Sequence, residues 1–111
     1  MSIYRWSEDV ILVDLPEELD KHHELQTVLA LLHHGDSCDV VVDFSHVRVV
    51  GGAWLAQLRK IQTLAQERGH KLTLCHLAPA LRGIFTIVHL DDLFEFAEDR
   101  FTALASPQLV G

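Results

Sequence analysis

The sequence predicts an α/β fold: one domain with a mixed, mostly parallel sheet of about four or five strands and helices packed on it. Three observations carry that expectation. Short strand-like runs such as Val40-Val41-Val42 and Leu72-Thr73-Leu74 alternate with stretches whose apolar residues recur at helical spacing. Gly35 and Gly69 follow the first two helical stretches, where a glycine lets the chain leave a helix. The chain has 111 residues, 49% of them apolar, enough to build one modest core without staples.

The elements follow in order. Residues 3–6, the turn Ser7-Glu8-Asp9 and residues 10–15 read as a hairpin. Pro16-Glu17-Glu18 reads as a helix start, with proline early and acids on the positive end of the dipole. Leu25, Val28, Leu29 and Leu32 then stand on one helical face up to the Gly35 stop. Residues 38–44 form a short buried strand, and 45–52 an irregular apolar connection. A helix over about 53–68 carries Leu58, Ile61 and Ala65 on one stripe and ends at Gly69. Residues 71–76 are the next strand, and Ala78-Pro79-Ala80 opens a helix carrying Leu81, Ile84, Phe85 and Val88. A last short strand at 93–96 and a terminal helix at 99–104 complete the pattern, with no internal repeat and no linker, so that residues 1–111 read as a single domain. Crossovers between parallel strands are expected to be right-handed.

Composition excludes several function classes. No apolar run approaches the roughly 20 residues that span a bilayer. Residues 1–9 lack the apolar stretch of a secretory signal, so a soluble cytoplasmic domain is expected, with no membrane insertion. The net charge of −7 argues against nucleic acid as a partner, since phosphate binding wants a basic surface. The charge is uneven: −8 over residues 1–43, +5 over 44–90 and −4 over 91–111. A basic middle suits a face that meets an acidic partner or an anion; charge drift along a small chain is the plain alternative. Cys38 and Cys75 adjoin apolar runs and lack CxxC spacing, so both are expected reduced and buried.

Residues able to do chemistry do not assemble in the sequence. His22-His23 and His33-His34 are adjacent pairs, and helix neighbours point about 100° apart, so neither pair chelates. No His-x₃-His, Walker loop or Gly-x-Gly-x-x-Gly occurs. Ser45 and His46 are neighbours without an evident orienting third group. The expectation is no enzyme, no catalytic residue, no metal and no cofactor.

From Asp43 onward the chain resembles a known family. Asp43-Phe44-Ser45-His46-Val47, the glycine-rich helix start and Leu55-Ala56-Gln57-Leu58 are similar to the STAS domain. So are Leu77 to Phe85 and Leu90-Asp91-Asp92-Leu93-Phe94-Glu95-Phe96, and the likeness covers about residues 9–105. The family includes bacterial anti-sigma factor antagonists and the tails of sulphate transporters. The resemblance implies a short (βα) superhelix and a role in regulating transcription through protein–protein contact.

One departure matters most. The family's Asp-Ser-Ser-Gly falls on Gly51-Gly52-Ala53-Trp54, and the serine phosphorylated in regulated antagonists corresponds to Gly52, which has no hydroxyl. No serine or threonine lies between Ser45 and Thr63, so a one-residue slip supplies no substitute. His89 likewise stands where relatives often end a helix with glycine.

The resemblance implies that a partner docks around Ser45, Arg48, Gly51, Gly52, Ala53 and Trp54, with His76 and Pro79 alongside. The implied partner is an anti-sigma factor or a related regulatory protein, and a homodimer is compatible with it. Gly51-Gly52 is either a structural turn or a helix start open to an anion. Trp54 is either core, in line with Leu58, Ile61 and Ala65, or an exposed anchor. Two other functions remain in view: an accessory subunit of a stressosome-like or ABC lipid-transport-like assembly, and a small-anion-binding module.

Overall fold

A computed structural model describes residues 2–17, 24–33, 38–48 and 54–109. The elements are β1 (Ser2–Ser7), β2 (Val10–Asp14), α1 (Glu24–His33), β3 (Asp39–Asp43), α2 (Trp54–Glu67), β4 (Leu72–Cys75), α3 (Pro79–Ile87), β5 (Glu95–Ala97) and α4 (Arg100–Leu109). The strands form one sheet in chain order, β1 antiparallel to β2 and every later pair parallel. This is the α/β architecture the alternation predicts.

Side chains alternate across each strand, so the sheet has two faces with different covers. Ile11, Val13, Val40, Val42, Leu72 and Leu74 face the main core. There they meet Leu25, Val28 and Leu32 of α1, Trp54, Leu58 and Ile61 of α2, and Phe85 of α3. The stripe expected on α2 is buried as a unit: Trp54, Leu58, Ile61 and Ala65. Val10, Leu12, Val41 and Cys75 face the other side, under Ala103 and Leu104 of α4. Both cysteines are buried.

Helix ends follow local chemistry. Gly69 closes α2 at φ 77°, in the left-handed region glycine enters without steric cost. Pro79 opens α3, where its missing N–H costs nothing. His89 ends α3 at φ 60°, taking up the conformation a glycine usually fills there.

Three boundaries differ from expectation. Pro16 and Glu17 stand in irregular backbone rather than a helix. There the Leu15 N–H donates to the Asp43 carbonyl at 3.2 Å and the Glu17 carbonyl accepts from Arg48 at 2.8 Å, so the segment stays bound beside β3. Residues 18–23 and the Gly35 stop lie outside the described residues. β5 begins at Glu95, because Leu93 is tied back to the Leu90 carbonyl in a turn and the ladder with β4 starts at Thr73–Glu95. α4 runs on to Leu109, well past the expected 104.

Candidate docking rim and its buried ion cluster

The C-terminal ends of β2 to β5 meet along one rim. Asp14, Asp43, Cys75 and Ala97 pair in sequence across the sheet, one rung from β2 to β5. Ends of parallel strands are where α/β folds place their contact loops. Here the turn at Ser45-His46, the His76 turn and the Glu98-Asp99 link all leave from that rung.

Beneath the loops the rung is charged. Asp43 is 1% exposed, and its two oxygens serve different masters. Oδ1 accepts the Ser45 N–H at 2.8 Å. Oδ2 accepts from the Arg100 guanidinium, Nε and a terminal nitrogen each at 2.7 Å. The same terminal nitrogen lies 3.3 Å from Asp14 Oδ2, while Asp14 Oδ1 is buried without a hydrogen-bond partner. Burial works to raise the Asp43 pKa, but the Ser45 backbone and hydroxyl and then Arg100 outweigh it and hold the carboxyl below its ordinary range. Burial likewise works against the Arg100 charge, and the bond to Asp43 more than restores it. Burial, aided by the Asp43 charge, pushes the Cys75 thiol up to about 12, so no thiolate nucleophile forms near neutrality.

The expected docking residues divide. Ser45, Arg48, His76 and Pro79 are exposed along the rim. His76 is held at φ 57°, with its N–H donating to the Glu98 carbonyl at 3.3 Å. Arg48 pairs with Glu17 at 3.3 Å, but both side chains are mostly exposed, so water screens the pair. Gly51, Gly52 and Ala53 lie outside the described residues. Of the two readings open for Trp54 the structure gives the first: at 5% exposure, edge-on to Phe44 and Phe85, it is core and not an exposed anchor.

The basic middle of the chain does not gather into one face. Lys71 pairs with Glu95 at 3.8 Å, Arg68 donates to the Leu32 carbonyl, and Arg82 lies over the Phe96 ring at 3.7 Å. Arg59 and Lys60 instead border an open groove of about 710 Å³ between α1 and α2, with Leu29, Ala30 and Leu64 inside it.

No local spacing in the sequence pairs Asp14 and Arg100 with Asp43. A faint signal existed: Arg100 is the single base among the five acids of the last segment, and Asp43 ends a wholly apolar run. Among the described residues no cluster of His, Cys, Asp and Glu is placed to hold a metal ion, and no helix is long and apolar enough to cross a membrane.

The sequence model of the family described as "Mlab, STAS domain" matches residues 3–95, most of the chain. The chain belongs to the STAS domain family. No curated protein matches it in sequence. Its fold is similar to that of the anti-sigma factor antagonist SpoIIAA in its unphosphorylated form, at TM-score 0.81 and 14% identity, covering 99% of this chain and 97% of that one. An anti-sigma factor antagonist (STAS) domain protein from Planctomyces limnophilus gives TM-score 0.79 at 17% identity, covering 95% of each chain. A sulfate transporter family protein from Wolinella succinogenes gives 0.66 at 18%, covering 92% of this STAS domain and 85% of its own chain. These are likenesses of fold.

Proposed function

We propose that this STAS domain is a non-catalytic regulatory module that docks a partner protein on the rim at Ser45, Arg48, His76 and Pro79, together with residues 51–53. The partner class is an anti-sigma factor or a related regulatory protein, as in the antagonists whose fold it shares. One observation carries the reading. Asp43, Cys75 and Arg100 at the base of the rim are buried or engaged with one another, which leaves the exposed Ser45, His46, Arg48, His76 and Pro79 as the contact surface above them. Such a surface suits recognition rather than bond-making.

Regulation differs from that of the phosphorylated antagonists, because Gly52 offers no oxygen to a kinase. A cytoplasmic setting belongs to the same reading. An accessory role in a larger assembly would use the same rim, and the Mlab description of the matched family favours that as the second reading.

The test is capture of the tagged protein's partner from native cells, followed by binding kinetics of two rim variants. His76→Glu and Ser45→Arg are expected to weaken the captured complex at least tenfold with unchanged circular dichroism. Full-strength binding by both variants would move the docking site off this rim.

A further inference from the structure

We propose that α4 governs the docking loop through Asp43, with Arg100 as the positioning residue: α4 seated holds the Ser45 turn, and α4 lifted releases it. The inference rests on the docking reading for its consequence, but its structural content is independent of any partner.

The geometry is a divided carboxylate. One oxygen of Asp43 fixes the first turn of the loop and the other fixes the first residue of α4, so neither end can leave without unbalancing the other. Asp43 is almost fully buried, so a lost Arg100 is not simply replaced by solvent. Asp14 sharpens the dependence. It sits on the neighbouring strand at the same rung and shares the guanidinium, so removing Arg100 leaves two carboxylates about 5 Å apart along the ladder direction. Their repulsion is relieved by turning Asp43 away or protonating it, and either change disturbs the acceptor of the Ser45 N–H.

α4 also packs apart from the other helices. It alone covers its face of the sheet among the described helices, through Ala103 and Leu104, apart from the larger cluster under α1, α2 and α3. Asp99 caps its first turn, accepting the Thr102 N–H at 2.8 Å, so the turn can lift as an intact unit. Next to Arg100, Phe101 is 72% exposed, an apolar handle at the rim for a docked protein to take. A partner that engages α4 thereby alters the loop, a route to regulation that needs no hydroxyl at residue 52.

Amide NMR of the full chain without any partner tests the coupling. Arg100→Ala and, separately, Leu104→Ala are expected to shift the Ser45 and Val47 amide signals. Both should speed Ser45 amide exchange at least tenfold relative to Val41 and Leu74 at the sheet centre. Arg100→Lys should restore part of the protection. The proposal is overturned if Ser45 is unchanged in Leu104→Ala, or if loop and sheet amides accelerate in the same proportion, which is plain loss of stability. Loop release without any effect of the His76→Glu and Ser45→Arg variants on partner binding would retain the coupling and sink the docking reading instead.

Discussion

The Trp54 indole and the Phe85 ring meet edge to face, centroids 5.5 Å apart and planes at 87°. Phe85 in turn meets Phe94 and Phe96 edge to face at 5.4 Å each, so one aromatic chain joins the start of α2, the middle of α3 and β5. Such pairs add about 0.5–1.5 kcal/mol each beyond burial. The start of α2 is therefore anchored from below.

Trp54→Ala is expected to cost about 3–5 kcal/mol in urea unfolding, as large-to-small changes in a packed core do, and Trp54→Phe distinctly less. Fluorescence checks the same point. Trp6 is 51% exposed and Trp54 5%, so a Trp6→Phe protein should emit at short wavelength and resist acrylamide quenching. Red, easily quenched emission from that protein would show Trp54 at the surface.

His89 sits at φ 60°, which costs a side-chain-bearing residue energy that glycine does not pay. His89→Gly is therefore predicted to raise stability by roughly 0.5–1 kcal/mol, despite the extra freedom it gives the unfolded chain. An unchanged or lowered urea midpoint would contradict the strain argument.

The same contrast explains what the sequence made legible. Periodicity found α2 because Leu58, Ile61 and Ala65 answer to one buried face, and Gly69 marks its stop by backbone need alone. The sequence pattern starts β5 two residues before the structure does, because Phe94 is buried like a strand residue, at 5%, while its backbone still belongs to a turn. Burial and ladder pairing separate there, and only the second makes a strand. Of the rim, Ser45, Arg48, His76 and Pro79 were visible through family resemblance. The ion cluster was not, because Asp14, Asp43 and Arg100 are brought together by register across three elements, which no local spacing records.

Stability is predicted to fall at both ends of the pH scale for separate reasons. Asp43 is held below the ordinary aspartate value of about 3.9, so its contribution is complete above that pH and lost as pH falls through the lower native value. Cys75 is raised from 9.0 to about 12, so above pH 9 the unfolded thiol sheds its proton while the native one keeps it. Stability then declines until about pH 12. Urea midpoints across pH should show Asp43→Asn flattening the acid limb and partly easing the alkaline one, because its charge helps raise Cys75, and Cys75→Ala flattening only the alkaline limb. Unaltered limbs in these variants would assign the losses to other groups.

The final prediction separates steering from fit at the rim. Arg48 is exposed and its pair with Glu17 is screened, so Arg48→Glu should act mainly on encounter with an acidic partner. Association should slow several-fold and depend less on salt, with dissociation little changed. By resemblance Gly52 corresponds to the residue phosphorylated in regulated antagonists, so on the proposed docking reading Gly52→Glu puts a bulky acid at the interface. It should speed dissociation and weaken the complex more than Arg48→Glu does. Gly52→Ser, by contrast, should bind normally and gain a phosphate from a receptive anti-sigma kinase with ATP, located at residue 52 by mass spectrometry. Phosphate on Ser45 of the parent protein would instead place the switch on the turn held by Asp43. Normal folding and parent-like binding by Gly52→Glu would remove residue 52 from the interface, because a carboxylate there leaves no room for an unaffected contact.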